Sequence, residues 1–184
     1  MAHPTRRAVL VGAAAAGLAA CDNSVGSGGA ANIDQQVGQT LSFMYNNIPE
    51  TKALSETASG LLVMPAITEA GLFVGGSYGE GALLINDLTV DYYSATQASV
   101  GLQVGAQRYA HTLFFMTPEA LRDFRTSPGW SGGVDAEFVV SDTGGSFGTN
   151  TEISGKSVIA VFFAQSGLRV GATVAGTKYT RVLR

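Results

Sequence analysis

The sequence predicts an α+β domain built mostly from antiparallel strands, whose sheet is strongly curved or closed into a barrel-like sandwich. Three observations carry this prediction: apolar residues at helical spacing over 33–47, short glycine-punctuated runs of Val, Leu, Ile, Phe and Tyr from Gly60 onward, and one later helical segment, TPEALRDFR. Short apolar runs of this composition, separated by glycines, are typical of strands. Two helices therefore precede the sheet, and one is inserted into it.

The helices are predicted from their apolar spacing and from the residues at their ends. The first repeats apolar residues every three or four positions: Ile33, Val37, Leu41, Met44 and Ile48. Pro49 ends it, and a second short helix follows over 50–58. In the inserted helix, Thr117 is suited to the cap position and Pro118 to the first turn.

Ten short strands are predicted in the remaining chain. They lie near 61–64, 71–78, 81–86, 89–96, 99–107, 110–116, 134–141, 157–165, 167–174 and 177–183. The glycine-rich stretch GGSYGEG (75–81) is not a phosphate loop, since an apolar strand rather than a helix follows it and no lysine is present. We expect a tight hairpin turn at 78–81 instead, and a surface loop at 141–155.

One heptad occurs three times, as GLFVGGS (71–77), GLQVGAQ (101–107) and GLRVGAT (167–173). Because side chains alternate along a strand, the Leu, the Val and the last small residue of each copy, such as Gly76 and Ala106, are predicted to face the core. Glycine within a strand marks sharp curvature or the close approach of another backbone. The opposite face therefore carries six predicted structural glycines: Gly71, Gly75, Gly101, Gly105, Gly167 and Gly171.

The first 20 residues have the features of an export signal. Arg6 and Arg7 precede an uncharged run of Ala, Val, Leu and Gly, in the order of a signal peptide. The run over 8–20 is shorter than the roughly 20 residues that span a bilayer. The arginine pair resembles the twin-arginine export motif, which implies translocation of a folded domain.

The only cysteine, Cys21, ends a Leu-Ala-Ala-Cys sequence that resembles the bacterial lipobox. In that motif the cysteine becomes the first mature residue and carries fatty acyl chains such as palmitate. Residues 21–32 then form the acylated cysteine and a flexible Gly/Ser/Asn tether. We expect a lipoprotein that is anchored in the bacterial cell envelope and faces the periplasm.

The charge balance excludes a nucleic-acid partner. Removal of Arg6 and Arg7 with the signal leaves 9 basic against 14 acidic residues, a net charge of −5. Phosphate backbones require a basic surface. A single thiol also excludes an internal disulfide.

Neither a catalytic constellation nor a metal site is recognisable in the sequence. His111 stands apart from spaced carboxylates and from any nucleophile motif, so it is interpreted as a strand residue satisfied by a neighbour. The acidic pairs Asp87 with Asp91 and Asp135 with Glu137 are interpreted as solvated surface groups. We expect a non-enzymatic protein without a cofactor, and an enzyme that uses His111 with a carboxylate remains an alternative.

Four segments, which begin at Ser59, Ser99, Thr112 and Val158, together resemble the SYLF domain in its bacterial exported form. They read SGLLVMPAITEAGLFVGGSYGEGALL, SVGLQVGAQ, TLFFMTPEALRDFRTSPGWSGGVDA and VIAVFFAQSGLRVGATVAGTKYTRV. The resemblance covers nearly all of 33–184. Eukaryotic members bind membrane phosphoinositides and some bundle actin, so it implies a lipid-binding module.

The resemblance also indicates where lipid would be met. In eukaryotic members a leading amphipathic segment contacts the membrane, but the matching stretch here, 33–48, has Asp34 as its only charge. The candidate lipid-binding cations lie elsewhere: Lys52, Arg169, Lys178, Arg181 and, at the end, Arg184. We therefore expect a domain that binds phospholipid or the membrane surface. The alternative is a scaffolding lipoprotein that binds a protein partner through the glycine-rich sheet face.

Overall fold

The computed structural model describes residues 28–132, 137–140, 155–167 and 176–184. The predicted export signal at 1–20, Cys21, Arg169, Gly171 and the segment 141–154 lie outside the described residues. Within them the predicted fold class is confirmed: an α+β domain with a strongly curved, mostly antiparallel sheet.

The chain forms three helices and six strands in the described residues. In order they are α1 (Gly29–Asn47), α2 (Glu50–Thr57), β1 (Gly60–Ile85), β2 (Leu88–Phe115), α3 (Pro118–Thr126), β3 (Trp130–Ser131), β4 (Glu137–Val140), β5 (Val158–Gly167) and β6 (Lys178–Val182). All three predicted helices are present. The six short strands predicted before α3 are instead two long ones, because glycines inside them bend the strands without ending them.

The hairpin turn predicted at 78–81 was wrong. Tyr78 and Gly81 lie within β1 and pair with Thr96 and Tyr93 of β2. The chain turns at Asn86 and Asp87, whose φ values are 52° and 63°. A type I′ two-residue hairpin needs left-handed backbone at both central positions, and Asn and Asp tolerate it better than most other non-glycine residues.

Strand β2 is the centre of the sheet, whose order is β3-β6-β2-β5-β4, with β1 also paired to β2. Its first part pairs with β6 over 92–96, and its second part pairs with β5 over 107–115. All pairs are antiparallel except β4 with β5. Each part of β2 therefore belongs to a different half of the curved sheet.

The repeated heptads meet at one place on this sheet. Gly71 lies opposite Gly105, and Gln107 lies opposite Gly167, so the first two copies pair and the third begins beside the second. The predicted core faces were wrong where they can be tested, since Gly76 and Ala106 are exposed. Register shifts along the β1–β2 pair change which residues face inward.

Helix α1 packs across both ends of β1. Its buried residues Ile33, Val37 and Met44 belong to one core cluster with Val63, from the start of β1, and Leu84, from its end. Burying an aliphatic side chain of this size contributes roughly 1.5–3 kcal/mol. The apolar face of α1 is therefore used inside the domain.

The two ends of β1 also touch each other directly. A Cβ atom built on Gly81 would lie 2.0 Å from the carbonyl oxygen of Val63, and one built on Gly79 would lie 2.3 Å from that of Ala66. No side chain fits at these distances. The sheet is curved so strongly that one strand returns to its own beginning, and the contact lies at two glycines that were predicted to form a hairpin turn.

Helix α3 covers the inner core at the open end of the sheet. Thr117 caps it by accepting a hydrogen bond from the Ala120 amide at 3.2 Å. The Phe124 ring packs on Tyr93, with centroids 4.7 Å apart, and on Trp130, at 5.4 Å. Trp130 thus anchors α3 to the sheet through its ring contacts with Phe124 and Tyr179. In the part of the chain that the structure describes, no helix is long and apolar enough to cross a bilayer.

Candidate functional site

An open cleft of about 610 Å³ lies between the β1–β2 turn, α3 and β6. Nine residues line it: Ser59, Ile85, Asn86, Pro118, Leu121, Arg122, Arg125, Thr126 and Arg181. Three are arginines and none is acidic, although the whole chain has a net charge of −3. The cleft is therefore a local concentration of positive charge.

Asp91, beneath the cleft, holds two of these arginines in place. Its carboxylate is 3% exposed and accepts from Nε and Nη2 of Arg125, at 3.3 and 3.2 Å, through Oδ2. Its other oxygen, Oδ1, lies 2.5 Å from Nη2 of Arg181. The arginine side chains remain 43% and 59% exposed. Because a guanidinium has five N–H donors, both keep donors free for a ligand in the cleft.

Tyr93 adds a buried hydroxyl beside this cluster. It lies opposite Arg181 in the β2–β6 register, is 3% exposed, and its hydroxyl has no hydrogen-bond partner within the described residues. Burial raises the pKa of Tyr93, the Asp91 carboxylate raises it further, and Arg181 and Arg125 oppose both effects. The hydroxyl is therefore a neutral donor within electrostatic reach of the cleft charges.

The rim of the cleft combines charge with apolar surface. Arg122 is 65% exposed and lies 3.5 Å from Asp123, a surface pair that contributes little. Just beyond the β1–β2 turn, Leu88 is 70% exposed and Val90 is 41% exposed. Exposed aliphatic side chains next to cations are the combination that an anionic lipid surface attracts.

Of the cations predicted to bind lipid, Arg181 lies in the cleft and three described ones lie elsewhere. Lys178 is exposed on the opposite face of β6, since three positions separate it from Arg181. Lys52 is exposed on α2, and the Arg184 side chain is 6% exposed and paired with Glu80. The predicted basic residues are therefore not gathered into one area, and Arg169 lies outside the described residues.

The sequence interpretation missed Arg122 and Arg125. It identified TPEALRDFR as an inserted helix from Thr117 and Pro118 and assigned no binding role to its arginines. The spacing of the two arginines places them on one side of α3, since residues three apart are neighbours on a helix. That spacing was the available signal.

His111 has the environment of a structural residue. It is 1% exposed, and its Nε2 lies 2.8 Å from the Tyr179 hydroxyl, the kind of neighbour expected for a strand histidine, whereas its buried Nδ1 has no hydrogen-bond partner within the described residues. Burial lowers its pKa to about 3, so the ring is neutral. Among the described residues, no group of three His, Cys, Asp or Glu side chains could hold a metal ion.

Residues 96–182 match the model of the family described as Ysc84, Las17-binding protein actin regulator. This part of the chain is similar to a SYLF domain. The match begins inside β2 and ends with β6, so the SYLF match includes all three arginines of the cleft but neither Asp91 nor Tyr93. No curated protein matches the chain.

Proposed function

We propose that this protein is a non-enzymatic lipoprotein of the bacterial cell envelope whose SYLF domain binds anionic phospholipid through the arginine cleft. The observation that carries the proposal is the presence of Arg122, Arg125 and Arg181 in one open cleft beside exposed Leu88. Guanidinium groups bind phosphate through paired hydrogen bonds, and an exposed leucine gains free energy by entering the apolar region of a membrane. The resemblance to a lipid-binding family supports the same function.

The structure favours the cleft over α1 as the membrane contact. The apolar residues Ile33, Val37 and Met44 are buried against β1, so α1 would have to leave the domain to present them to lipid. Asp34 is also engaged, since it accepts hydrogen bonds from Thr89 and Tyr92 at 2.9 Å each. The cleft needs no such rearrangement.

Binding to vesicles tests this function directly. A chain that begins at Asp22 keeps every described residue and lacks Cys21, so we expect it to sediment with phosphatidylglycerol vesicles and not with phosphatidylcholine vesicles. Raising the salt from 50 to 500 mM should weaken sedimentation, because mobile ions screen the exposed arginines. Failure to bind either vesicle would favour a protein partner instead. The family description, which names Las17 binding, and the facing Gly71 and Gly105 support that alternative.

Acylation at Cys21 is a separate part of the proposal. We expect the parent protein to remain in the membrane fraction after a high-salt wash and Cys21→Ala to be released by it, because buried acyl chains do not respond to salt. Labelling with an alkyne-bearing palmitate analogue should mark the parent and not the variant. A variant that is retained like the parent would contradict an acyl anchor.

A further inference from the structure

We propose that the cleft binds a single glycerol-linked phosphate group, held jointly by Arg125 and Arg181. This inference rests on the proposed function and names the chemical group that the same site takes. A phospholipid headgroup and a free glycerol phosphate share this chemistry.

The carboxylate of Asp91 fixes the spacing of the two arginines. Arg125 bonds to Oδ2 and Arg181 to Oδ1, so the two guanidinium groups lie on either side of one buried carboxylate. The two arginines carry two positive charges, and Asp91 carries one negative charge. The three side chains together therefore leave a net charge of +1 at the cleft. A phosphate can accept from the free N–H groups of both arginines, because its oxygens match the fork of a guanidinium.

The size and lining of the cleft favour a phosphate that carries an organic group. A volume of about 610 Å³ exceeds what a lone phosphate fills. Ile85, Pro118 and Leu121 supply apolar wall next to the arginines. A glycerol backbone placed along this wall would lead toward exposed Leu88, where acyl chains could continue into the membrane.

Calorimetric titration of the full chain carrying Cys21→Ala with glycerol 3-phosphate tests the site without a membrane. We expect saturable binding that falls about tenfold or more in Arg181→Gln, since hydrogen bonds to charged groups contribute about 1.5–3 kcal/mol. Arg181→Lys should restore it only in part, because an ammonium lacks the fork. Arg108→Gln removes an equal charge from an exposed site elsewhere on β2 and should bind as the parent does.

Phosphatidylglycerol vesicles complete the test, with the same variants compared. Weaker binding of both probes in Arg181→Gln supports the cleft as the lipid headgroup site. A different result would be that parent and Arg181→Gln bind vesicles equally and that neither binds glycerol 3-phosphate. That result would overturn the cleft proposal but would still support lipid binding by the protein. Saturable glycerol 3-phosphate binding without vesicle binding would support the cleft and overturn the proposed function, with a free phosphate as the ligand.

Discussion

Replacing Gly81 with alanine is expected to destabilise the domain by at least about 3 kcal/mol, at or above the upper end of the usual cost of overpacking. The new Cβ would lie 2.0 Å from the Val63 carbonyl oxygen and 2.6 Å from Met64 Sδ. The methionine tail can move aside, but the carbonyl belongs to a paired strand and cannot. Relief would require the two ends of β1 to separate under helix α1.

Gly76→Ala is the matched control, because it makes the same chemical change in the same strand. Its added Cβ would lie 3.4 Å from the Gln97 carbonyl oxygen, an ordinary contact. We expect its free energy of unfolding to stay within about 1 kcal/mol of the parent's or to rise, because alanine lowers the conformational entropy of the unfolded chain. Urea denaturation of both variants measures the difference. Equal midpoints would show that the ends of β1 separate at little cost.

Acidification is expected to destabilise the domain through His111 by up to about 5 kcal/mol. Burial lowers its pKa from 6.5 to about 3, so between these values the unfolded chain binds a proton that the folded domain excludes. Stability is therefore complete above about pH 6.5 and falls by about 1.4 kcal/mol per pH unit as the pH drops toward 3. Below that, both states are protonated and the loss stops growing.

His111→Gln isolates this contribution. Glutamine carries no titrating group, yet its amide can still hydrogen-bond the Tyr179 hydroxyl. The urea midpoints of parent and variant, measured at pH 7.5, 6, 5 and 4, should converge as the pH falls. Only the parent contains His111, whose protonation in the unfolded chain lowers the free energy of unfolding. His3 and the carboxylates are present in both proteins, so their effects cancel in the comparison. A stability difference independent of pH would mean that His111 is protonated without cost.

Helices and late strands were predictable because their signals are local. Pro49 and Thr117 mark helix boundaries that the structure confirms, and the strands near 157–165 and 177–183 correspond to β5 and β6. The continuity of β1 was not predictable from propensity, since glycine usually ends a strand. The turn at Asn86 and Asp87 had suitable residues, but the glycines at 79 and 81 gave the stronger local turn signal.

The cleft could not be predicted from local pattern. Asp91 meets Arg125, 34 positions away, and Arg181 from another strand. Only the pairing of β6 with the first part of β2 brings Arg181 there, and that pairing depends on long-range register. Of the basic residues proposed for lipid, the sequence therefore identified one member of the cleft without its partners.

The division of β2 between two strand partners also imposes an order of assembly. Ser94 of β2 reaches Thr180 of β6 across 86 positions, so closing the sheet requires a long loop to form before its contacts stabilise it. Sheets of this kind fold in milliseconds to seconds. Arg181 enters the cleft only when this closure is complete, so a partly folded chain has no assembled cleft. Glycerol phosphate binding would therefore also report the last step of folding.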